Sequence, residues 1–153
     1  YAGAMGYGQF IPSSYRHYAV DFDGDGRRDL LTSKADAIGS VANYFHQHGW
    51  KKGQPVALLL NHTSSQAPKA KVWTKERLHY KVSDILSPTL SLANNQDIDA
   101  SQKALLVKLD QPDNAEYWLG LNNFYVITRY NRSPLYAMAV YQFSQQLNAH
   151  YQR

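Results

Sequence analysis

The chain has 153 residues, of which 44% are apolar or aromatic, and this length and composition suit one compact domain with an appendage. Sixteen Lys and Arg residues against twelve Asp and Glu residues give a net charge of +4, a modest surplus that suits a polyanion such as a cell-wall polymer, nucleic acid or anionic lipid. The absence of cysteine excludes a disulfide framework and a thiolate zinc site, and no run approaches the roughly 18 apolar residues of a membrane helix.

The amino-terminal segment is rich in glycine and then carries a helix-start signal. Glycines expose backbone and permit tight turns, whereas the Pro12-Ser13-Ser14 string predicts a short helix from about Ser13. The chain opens without an initiator Met, a charged segment or an apolar segment of the kind that targets proteins for export. Any targeting segment is therefore expected to lie outside it.

An acidic loop follows, and it is the strongest chemical signal in the sequence. Its carboxylates have the spacing of the first, third, fifth and ninth positions of an EF-hand loop, with glycine at the sixth. These residues are Asp21, Asp23, Asp25, Gly26 and Asp29. Closely spaced carboxylates repel one another unless a cation neutralises them, and Ca²⁺ requires six to eight oxygen ligands. The loop therefore predicts a calcium site.

The twelfth loop position departs from the EF-hand pattern, because Thr32 stands where a bidentate Glu is usual. Asp36, four residues later, could close an expanded loop, and the backbone carbonyl of Arg27 would supply the seventh position. The alternative is a solvated acidic turn in which Asp29 or Asp36 merely favours a helix N-terminus. Under either interpretation the expected role is structural rather than catalytic.

A second helix is predicted from Ser33, which can cap it, to Gly49, which stands where a C-terminal cap belongs. Its apolar residues recur at helical spacing and predict the buried face. They are Ile38, Val41, Ala42 and Phe45.

The character of the chain changes from Lys51 to about Leu121, where short apolar runs alternate with proline-containing polar segments. The runs Val56 to Leu60 and Ala104 to Leu109 predict strands of a small sheet-containing insertion. A closing helix is then predicted from its cap Ser133 and first residue Pro134. Its predicted apolar stripe comprises Tyr136, Ala139, Val140, Phe143 and Leu147.

Side chains that recognise sugars are concentrated in two segments. The first is Gly6 to Phe10, and the second runs from Asn122 to Tyr125 and continues at Tyr130 and Asn131. Flat rings suit the apolar faces of sugars, and planar amides suit hydroxyl and acetamido groups. The chain has twelve tyrosines, however, which could equally be core or helix-surface residues. Composition therefore leaves sugar binding open.

Residues for acid–base catalysis are scarce. Only Glu76 and Glu116 are glutamates, both lie in the insertion, and neither belongs to a paired carboxylate motif. The histidines show no metal-ligand spacing beyond His46 and His48, which lie on different helix faces and are expected at the surface. The residues by themselves thus indicate a calcium-stabilised domain that could bind sugar.

Three blocks of the sequence together resemble the membrane-bound lytic transglycosylase B family. They are Ala2 to Ser14, Asp36 to Trp50, and Asn123 to Val140, and the acidic loop lies between the first two as it does in that family. The resemblance covers essentially the whole chain and is weakest across residues 51–120.

The resemblance implies an α+β fold and a division of the chain. The family has a mostly helical core similar to goose-type lysozyme, an EF-hand-like calcium loop in that core, and a small β-rich subdomain inserted before the closing helices. On this basis residues 1–50 are expected to form part of the core with the calcium loop at 21–36. Residues 51–121 are expected to form the insertion, and residues 122–153 the returning core helices.

The resemblance also implies a reaction. Such enzymes cleave the β-1,4 bond between N-acetylmuramic acid and N-acetylglucosamine without water and leave a 1,6-anhydromuramoyl end. One Glu acts as acid and then as base. In the family this Glu precedes the Gly-Ala-Met-Gly-Tyr-Gly-Gln segment, so it is expected upstream of this chain. Glu76 and Glu116 cannot replace it, and the 153 residues alone are expected to be inactive.

Site residues follow from the motif match. The residues expected to line the saccharide groove are Gln9, Tyr44, Tyr130 and Asn131. The expected ligands of a structural Ca²⁺ are Asp21, Asp23, Asp25, Arg27 and Asp36. The expected partners are peptidoglycan glycan strands, with a monomeric protein in the periplasm. Whether a lipid anchor outside this chain attaches it to the outer membrane is left open.

Two other classes of function compete with this one. A non-catalytic, calcium-dependent glycan-binding module has the same features and differs only in lacking the upstream Glu. A basic nucleic-acid-binding domain lacks a stacking or helix-turn-helix signature, so no nucleic-acid partner is expected.

Overall fold

The computed structural model describes residues 3–74, 77–94 and 96–152, so Ala2 and Glu76 lie outside the described residues. The chain divides into two compact units, an amino-terminal unit of residues 1–50 and a carboxy-terminal unit of residues 51–153. The further division expected at residue 121 stays a prediction. No helix in the described ranges is both long and apolar enough to cross a bilayer.

The amino-terminal unit contains helices α1 (Pro12–Tyr18) and α2 (Lys34–Gln47). Helix α1 begins one residue before the predicted start, since proline is suited to the first helical position. Helix α2 begins as predicted, because the Ser33 side chain accepts a hydrogen bond from the backbone N–H of Asp36. Its C-terminal end is also confirmed, with Gly49 at a φ of 88° just beyond the cap.

The buried face of α2 differs from the predicted one. Ile38 is 70% exposed, and the residues that pack inward are small or polar. They are Asp36, Ala37, Gly39, Ser40 and Tyr44. The reason is the loop that precedes the helix, whose backbone bonds to these side chains: Val20 N–H donates to the Ser40 hydroxyl at 2.9 Å. Hydrophobic periodicity could not identify a face that binds a loop through polar groups.

The carboxy-terminal unit is built on an antiparallel sheet. Its described strands are β1 (Ala57–His62), β2 (Tyr80–Lys81), β3 (Leu90–Leu92), β4 (Lys103–Asp110) and β5 (Ala115–Gly120), in the order β2-β4-β5-β1-β3. The two apolar runs singled out in the sequence form β1 and β4, as predicted. Consecutive residues of β4 from Ala104 to Val107 are buried, which indicates that both faces of the sheet are covered there.

Each face of the sheet has its own packing partners. One face joins Leu60, Leu106, Tyr117 and Leu119 in a hydrophobic core with the short helix α3 (Val82–Ile85). On the other face, Gly120 lies so close to Leu105 and Phe124 that an added Cβ would fall 2.4 and 3.0 Å from their side-chain atoms. Phe124 belongs to α4 (Asn122–Tyr130), so this helix covers the second face at that end.

Helix α5 (Pro134–Tyr151) closes the chain and is capped by Ser133 as predicted. Its buried residues are Ala137 and Met138, not the predicted stripe, in which Phe143 is 60% and Leu147 is 41% exposed. The small side chain of Ala137 permits close helix packing, whereas the bulkier residues of the stripe lie outside that contact.

Candidate functional site

A cluster of carboxylates in the amino-terminal unit is the most distinctive chemical feature of the described residues. One carboxylate oxygen from each of four aspartates lies within 4.8 Å of the others. The four are Asp21, Asp23, Asp25 and Asp36. Three come from the loop, and the fourth comes from the first turn of α2, which is the arrangement that an expanded loop requires.

The backbone of the loop folds around its own carboxylates. Asp21 accepts hydrogen bonds from the N–H groups of Gly24, Asp25 and Gly26 at 2.7, 3.2 and 2.9 Å. The Asp25 carboxylate accepts one from Arg27 N–H at 2.8 Å. These bonds aim the carboxylates inward and hold the loop in a tight turn.

Asp36 ties the loop to the helix. Its side chain is fully buried, and it accepts hydrogen bonds from the N–H groups of Phe22 at 2.7 Å and Asp29 at 2.8 Å. These two donors, Phe22 first, hold the pKa of the Asp36 carboxyl below its ordinary value, although burial acts in the opposite direction. The Asp36 carboxylate is therefore negatively charged at neutral pH, and its oxygens can act as ligands to a metal ion.

Asp29, the ninth residue of the loop pattern, has a different role. Its carboxylate accepts hydrogen bonds from the Thr32 hydroxyl and from the N–H groups of Leu31 and Thr32. The Thr32 hydroxyl, followed by the Thr32 N–H, lowers the pKa of the Asp29 carboxyl. Thr32 thus stabilises the turn that leads into α2.

The donor set fits a hard divalent cation. Four carboxylates at such short separations repel one another strongly, and a cation with several oxygen ligands removes that repulsion. Carboxylate oxygen, not nitrogen or sulfur, is the ligand type that Ca²⁺ selects. The fourth member, Asp36, is buried and bonded to backbone, so its position is set before any ion binds.

Gln9 lies at the end of a tight loop closed by paired hydrogen bonds between Met5 and Phe10. Its φ of 49° is in the left-handed region, and its side-chain Nε2 donates to the Gly6 carbonyl at 2.9 Å. The side chain is exposed. An exposed amide that is held in one orientation can bond to a ligand with little loss of side-chain entropy.

Tyr44 lies on α2 in a cluster of aromatic rings and is only 9% exposed. Its ring stacks on His48 with centroids 4.0 Å apart and contacts Tyr18 edge-on at 4.8 Å. Phe10, the neighbour of Gln9, lies 6.1 Å from the same ring. The expectation that His48 is a surface residue is therefore wrong, because its ring is half-buried against Tyr44.

Tyr130 and Asn131 lie at the C-terminal end of α4 in the other unit. Tyr130 is half-buried, whereas Asn131 is exposed. Asn131 Oδ1 accepts a hydrogen bond from Ser133 N–H at 3.1 Å, which fixes the turn between α4 and α5.

Asn123, one of the amides that the sequence associated with sugar binding, is used entirely inside the protein. It is fully buried. Its Nδ2 donates to the carbonyls of Lys51 and Gln54, and its Oδ1 accepts from Lys51 N–H. The hydrogen bonds of this amide connect the segment before β1 to α4, so the amide is not a sugar ligand.

Glu116, the glutamate within the described ranges, is also engaged by neighbouring side chains. It accepts hydrogen bonds from the Trp118 indole N–H at 2.8 Å and from Gln111 Nε2 at 3.2 Å. Neither Trp118 nor the hydrogen bond that holds it was predicted from the sequence. Glu116 and Trp118 are two positions apart on β5, a spacing that places both side chains on the same face of a strand, and this spacing was the available signal.

The fold and the site define a mixed helix-and-sheet protein with a carboxylate cluster suited to a divalent cation. The chain belongs to the family described as the transglycosylase SLT domain, which it matches over residues 1–145. It is 50% identical over 145 residues to membrane-bound lytic murein transglycosylase B of Escherichia coli strain K12, and this match covers 95% of the chain and 38% of that protein. The resemblance found in the sequence is thus confirmed.

Comparison with solved structures also finds lytic transglycosylases. The lytic transglycosylase Slt35 of E. coli, solved in complex with calcium and separately with bulgecin A, superposes with a TM-score of 0.86 at 48% identity, covering 99% of this chain and 46% of that one. SltB3 of Pseudomonas aeruginosa in complex with NAG-anhNAM-pentapeptide superposes with a TM-score of 0.70 at 34% identity, covering 90% and 36%. The mixed α and β class is confirmed, and the chain spans less than half of each relative.

Proposed function

We propose that this chain is part of a lytic transglycosylase that cleaves the β-1,4 bond between N-acetylmuramic acid and N-acetylglucosamine and leaves a 1,6-anhydromuramoyl end. The observation that carries the proposal is the family match over residues 1–145, which extends through both compact units. The substrate is then the glycan strand of peptidoglycan, and the location is the periplasm. SltB3 in complex with NAG-anhNAM-pentapeptide supports this choice of ligand.

The proton transfers need a carboxylic acid that becomes a base, and we assign them to a glutamate outside these 153 residues. Glu116 is a poor candidate, since its carboxylate is already held by Trp118 and Gln111. The chain itself is then expected to bind glycan without turning it over.

The proposed glycan contacts are Gln9 and Tyr44 in the amino-terminal unit and Tyr130 and Asn131 in the carboxy-terminal unit. Gln9 and Asn131 have exposed amides whose orientation is restrained by a hydrogen bond to the backbone. Planar amides of this kind pair with the acetamido and hydroxyl groups of sugars. The two tyrosines would contribute aromatic ring edges and phenolic oxygens, Tyr44 through the small part of its side chain that is exposed.

The proposed ion is a structural Ca²⁺. Its ligands would be the carboxylates of Asp21, Asp23, Asp25 and Asp36, with the carbonyl of Arg27. Bound there, Ca²⁺ would offset the repulsion of the carboxylates and join the loop to α2. The calcium complex of Slt35 supports the assignment.

A chimera tests the reaction. The region of Slt35 that aligns with this chain would be replaced by these 153 residues, and the chimera, intact Slt35 and the 153-residue chain alone would be incubated with murein sacculi. Mass spectrometry would read the 1,6-anhydromuropeptides. We expect product from Slt35 and from the chimera, and none from the chain alone.

Two variants of the chimera test the site. Gln9→Ala and Asn131→Ala are each expected to lower product formation at least tenfold, while Gln145→Ala, an exposed amide on α5, leaves it unchanged. Product from the chain alone would disprove the assignment of the Glu to another part of the protein. A folded but inactive chimera that still binds sacculi would favour the non-catalytic glycan-binding module.

A further inference from the structure

The carboxy-terminal unit contains a small cavity that is separate from the carboxylate cluster and is not lined by Gln9, Tyr44, Tyr130 or Asn131. It has a volume of about 290 Å³, near the lower end of small-molecule sites, which begin at about 300 Å³. Trp118 on β5 and Tyr141 on α5 line it, together with Asn94 and Gln96, which follow β3. A cavity of this size can hold one sugar residue.

Two aromatic rings form a corner of the cavity. The ring centroids of Trp118 and Tyr141 are 6.3 Å apart and their planes lie at 86°. Each polar atom is already bonded within the protein, the Trp118 indole N–H to Glu116 at 2.8 Å and the Tyr141 hydroxyl to the Ala57 carbonyl at 3.2 Å. The rings are therefore held in place, and what they offer a ligand is apolar ring surface.

The apolar lining continues along the sheet. Leu59 lies directly opposite Trp118 across the β1–β5 pair and is 39% exposed. A leucine and a tryptophan that are partly exposed side by side form an apolar patch, which costs free energy in water and is covered by a ligand with a flat apolar side.

The lining also includes polar side chains. Asn94 and Gln96 are both exposed and carry planar amides, which donate and accept hydrogen bonds. A ligand that suits this cavity thus has an apolar face for the rings and hydroxyl or acetamido groups for the amides. N-acetylated sugars combine these two properties.

We propose that this cavity binds one N-acetylated sugar residue of a glycan strand, as a contact additional to Gln9, Tyr44, Tyr130 and Asn131. The proposal rests on the proposed function in that the natural glycan is peptidoglycan. Such a contact would hold the strand on the sheet-containing unit and increase affinity through a second point of attachment.

The test is an NMR titration of the 153-residue chain with triacetylchitotriose. The chain has three tryptophans, so an indole-labelled sample gives separate N–H signals for Trp50, Trp73 and Trp118. We expect the Trp118 signal to shift in a saturable manner, while the other two stay fixed. Loss of amide hydrogen bonds in the Asn94→Ala/Gln96→Ala variant is expected to raise the Kd by about threefold or more.

Matched samples separate this inference from the proposed function. Gln145→Ala removes an exposed amide elsewhere in the same unit and should leave the Kd unchanged. In the Gln9→Ala/Asn131→Ala variant the Trp118 signal should still shift, because the cavity does not depend on those residues. Maltotriose, which lacks acetamido groups, should bind at least several-fold more weakly.

The inference is overturned if the Trp118 signal does not move, if the Asn94→Ala/Gln96→Ala variant binds as tightly as the unaltered chain, or if maltotriose binds equally well. The sacculus experiment with the chimera judges the proposed function independently, since it reads product rather than binding at Trp118.

Discussion

At the scale of single residues, Gly6 has the most demanding position in the amino-terminal loop. Its φ is +66°, and a Cβ built on it would lie 2.0 Å from the Leu30 carbonyl oxygen. The next residue, Tyr7, donates its N–H to that same oxygen at 3.1 Å. The loop therefore approaches Leu30 so closely that only glycine fits.

Replacing Gly6 by alanine is expected to lower the free energy of unfolding by about 2–5 kcal/mol, from backbone strain and steric overlap together. Gly49→Ala is the matched control, since Gly49 has a φ of +88° but no atom within 4 Å of the added Cβ. It should cost only about 1 kcal/mol. Urea unfolding measures the free energy of unfolding of both variants. Equal decreases in the two variants would contradict the role of the Leu30 contact.

Tyr141 is expected to make the folding stability of the chain sensitive to alkaline pH. Burial raises the pKa of its phenol above the ordinary value, so the folded protein favours the neutral form. The stabilisation that comes from keeping this phenol neutral is fully present below the pKa of tyrosine in the unfolded chain, about 10. It is lost as the pH rises through the higher pKa of Tyr141 in the folded protein. Tyr141→Phe should lose less thermal stability between pH 9 and 11 than the unaltered chain. If the melting temperatures of Tyr141→Phe and the unaltered chain fall equally over this pH range, Tyr141 does not contribute to the loss of stability at alkaline pH.

At the scale of elements, the acidic loop and α2 form one structural piece. The loop donates backbone hydrogen bonds to Asp36 and Ser40 of the helix, and Ser33 caps the helix while its hydroxyl also donates to Asp23 at 2.9 Å. An ion held by both parts would stabilise the loop and the first turn of the helix at the same time.

Calcium is expected to raise the melting temperature of the chain. A calcium concentration of about a hundred times the Kd raises the free energy of unfolding by about 2.7 kcal/mol. For a chain of this size, this corresponds to a rise in melting temperature of roughly 5–10 °C. Asp21→Asn should abolish this increase. Asp113→Asn, an exposed carboxylate on the β4–β5 turn, should preserve it. The comparison of melting curves with and without calcium decides the matter, and an equal increase in Asp21→Asn would refute the site.

At the scale of the whole molecule, the net charge of +4 bears on the proposed binding to peptidoglycan. Peptidoglycan carries carboxylates on its peptide stems, so long-range attraction is expected to assist binding. Salt screens such attraction, because the Debye length falls from about 30 Å at 0.01 M to about 10 Å at 0.1 M.

Binding to sacculi should therefore weaken several-fold when salt is raised from about 0.01 M to about 0.1 M. A co-sedimentation assay measures this directly. Triacetylchitotriose, an uncharged ligand, is the control, and its affinity should not change. A binding isotherm to sacculi that is independent of salt would show that the charge surplus has no part in recognition.

The sequence by itself determined the family, the ends of α2 and the start of α5, and the spacing of the acidic loop. These features depend on residues a few positions apart, as when Ser33 and Ser133 each accept a hydrogen bond from the backbone three residues on. Short-range chemistry of this kind can be read directly along a chain. The groove residues and the calcium ion remain predictions.

Only the tertiary structure decided which face of α2 is buried, where the Asn123 amide is used, and that the strands lie in the order β2-β4-β5-β1-β3. The physical reason is that each of these depends on partners distant in sequence, such as Lys51 and Asn123, which are 72 residues apart. A buried polar group bonds to whichever donor or acceptor the fold brings to it. That partner cannot be predicted from the residues next to the group in the sequence.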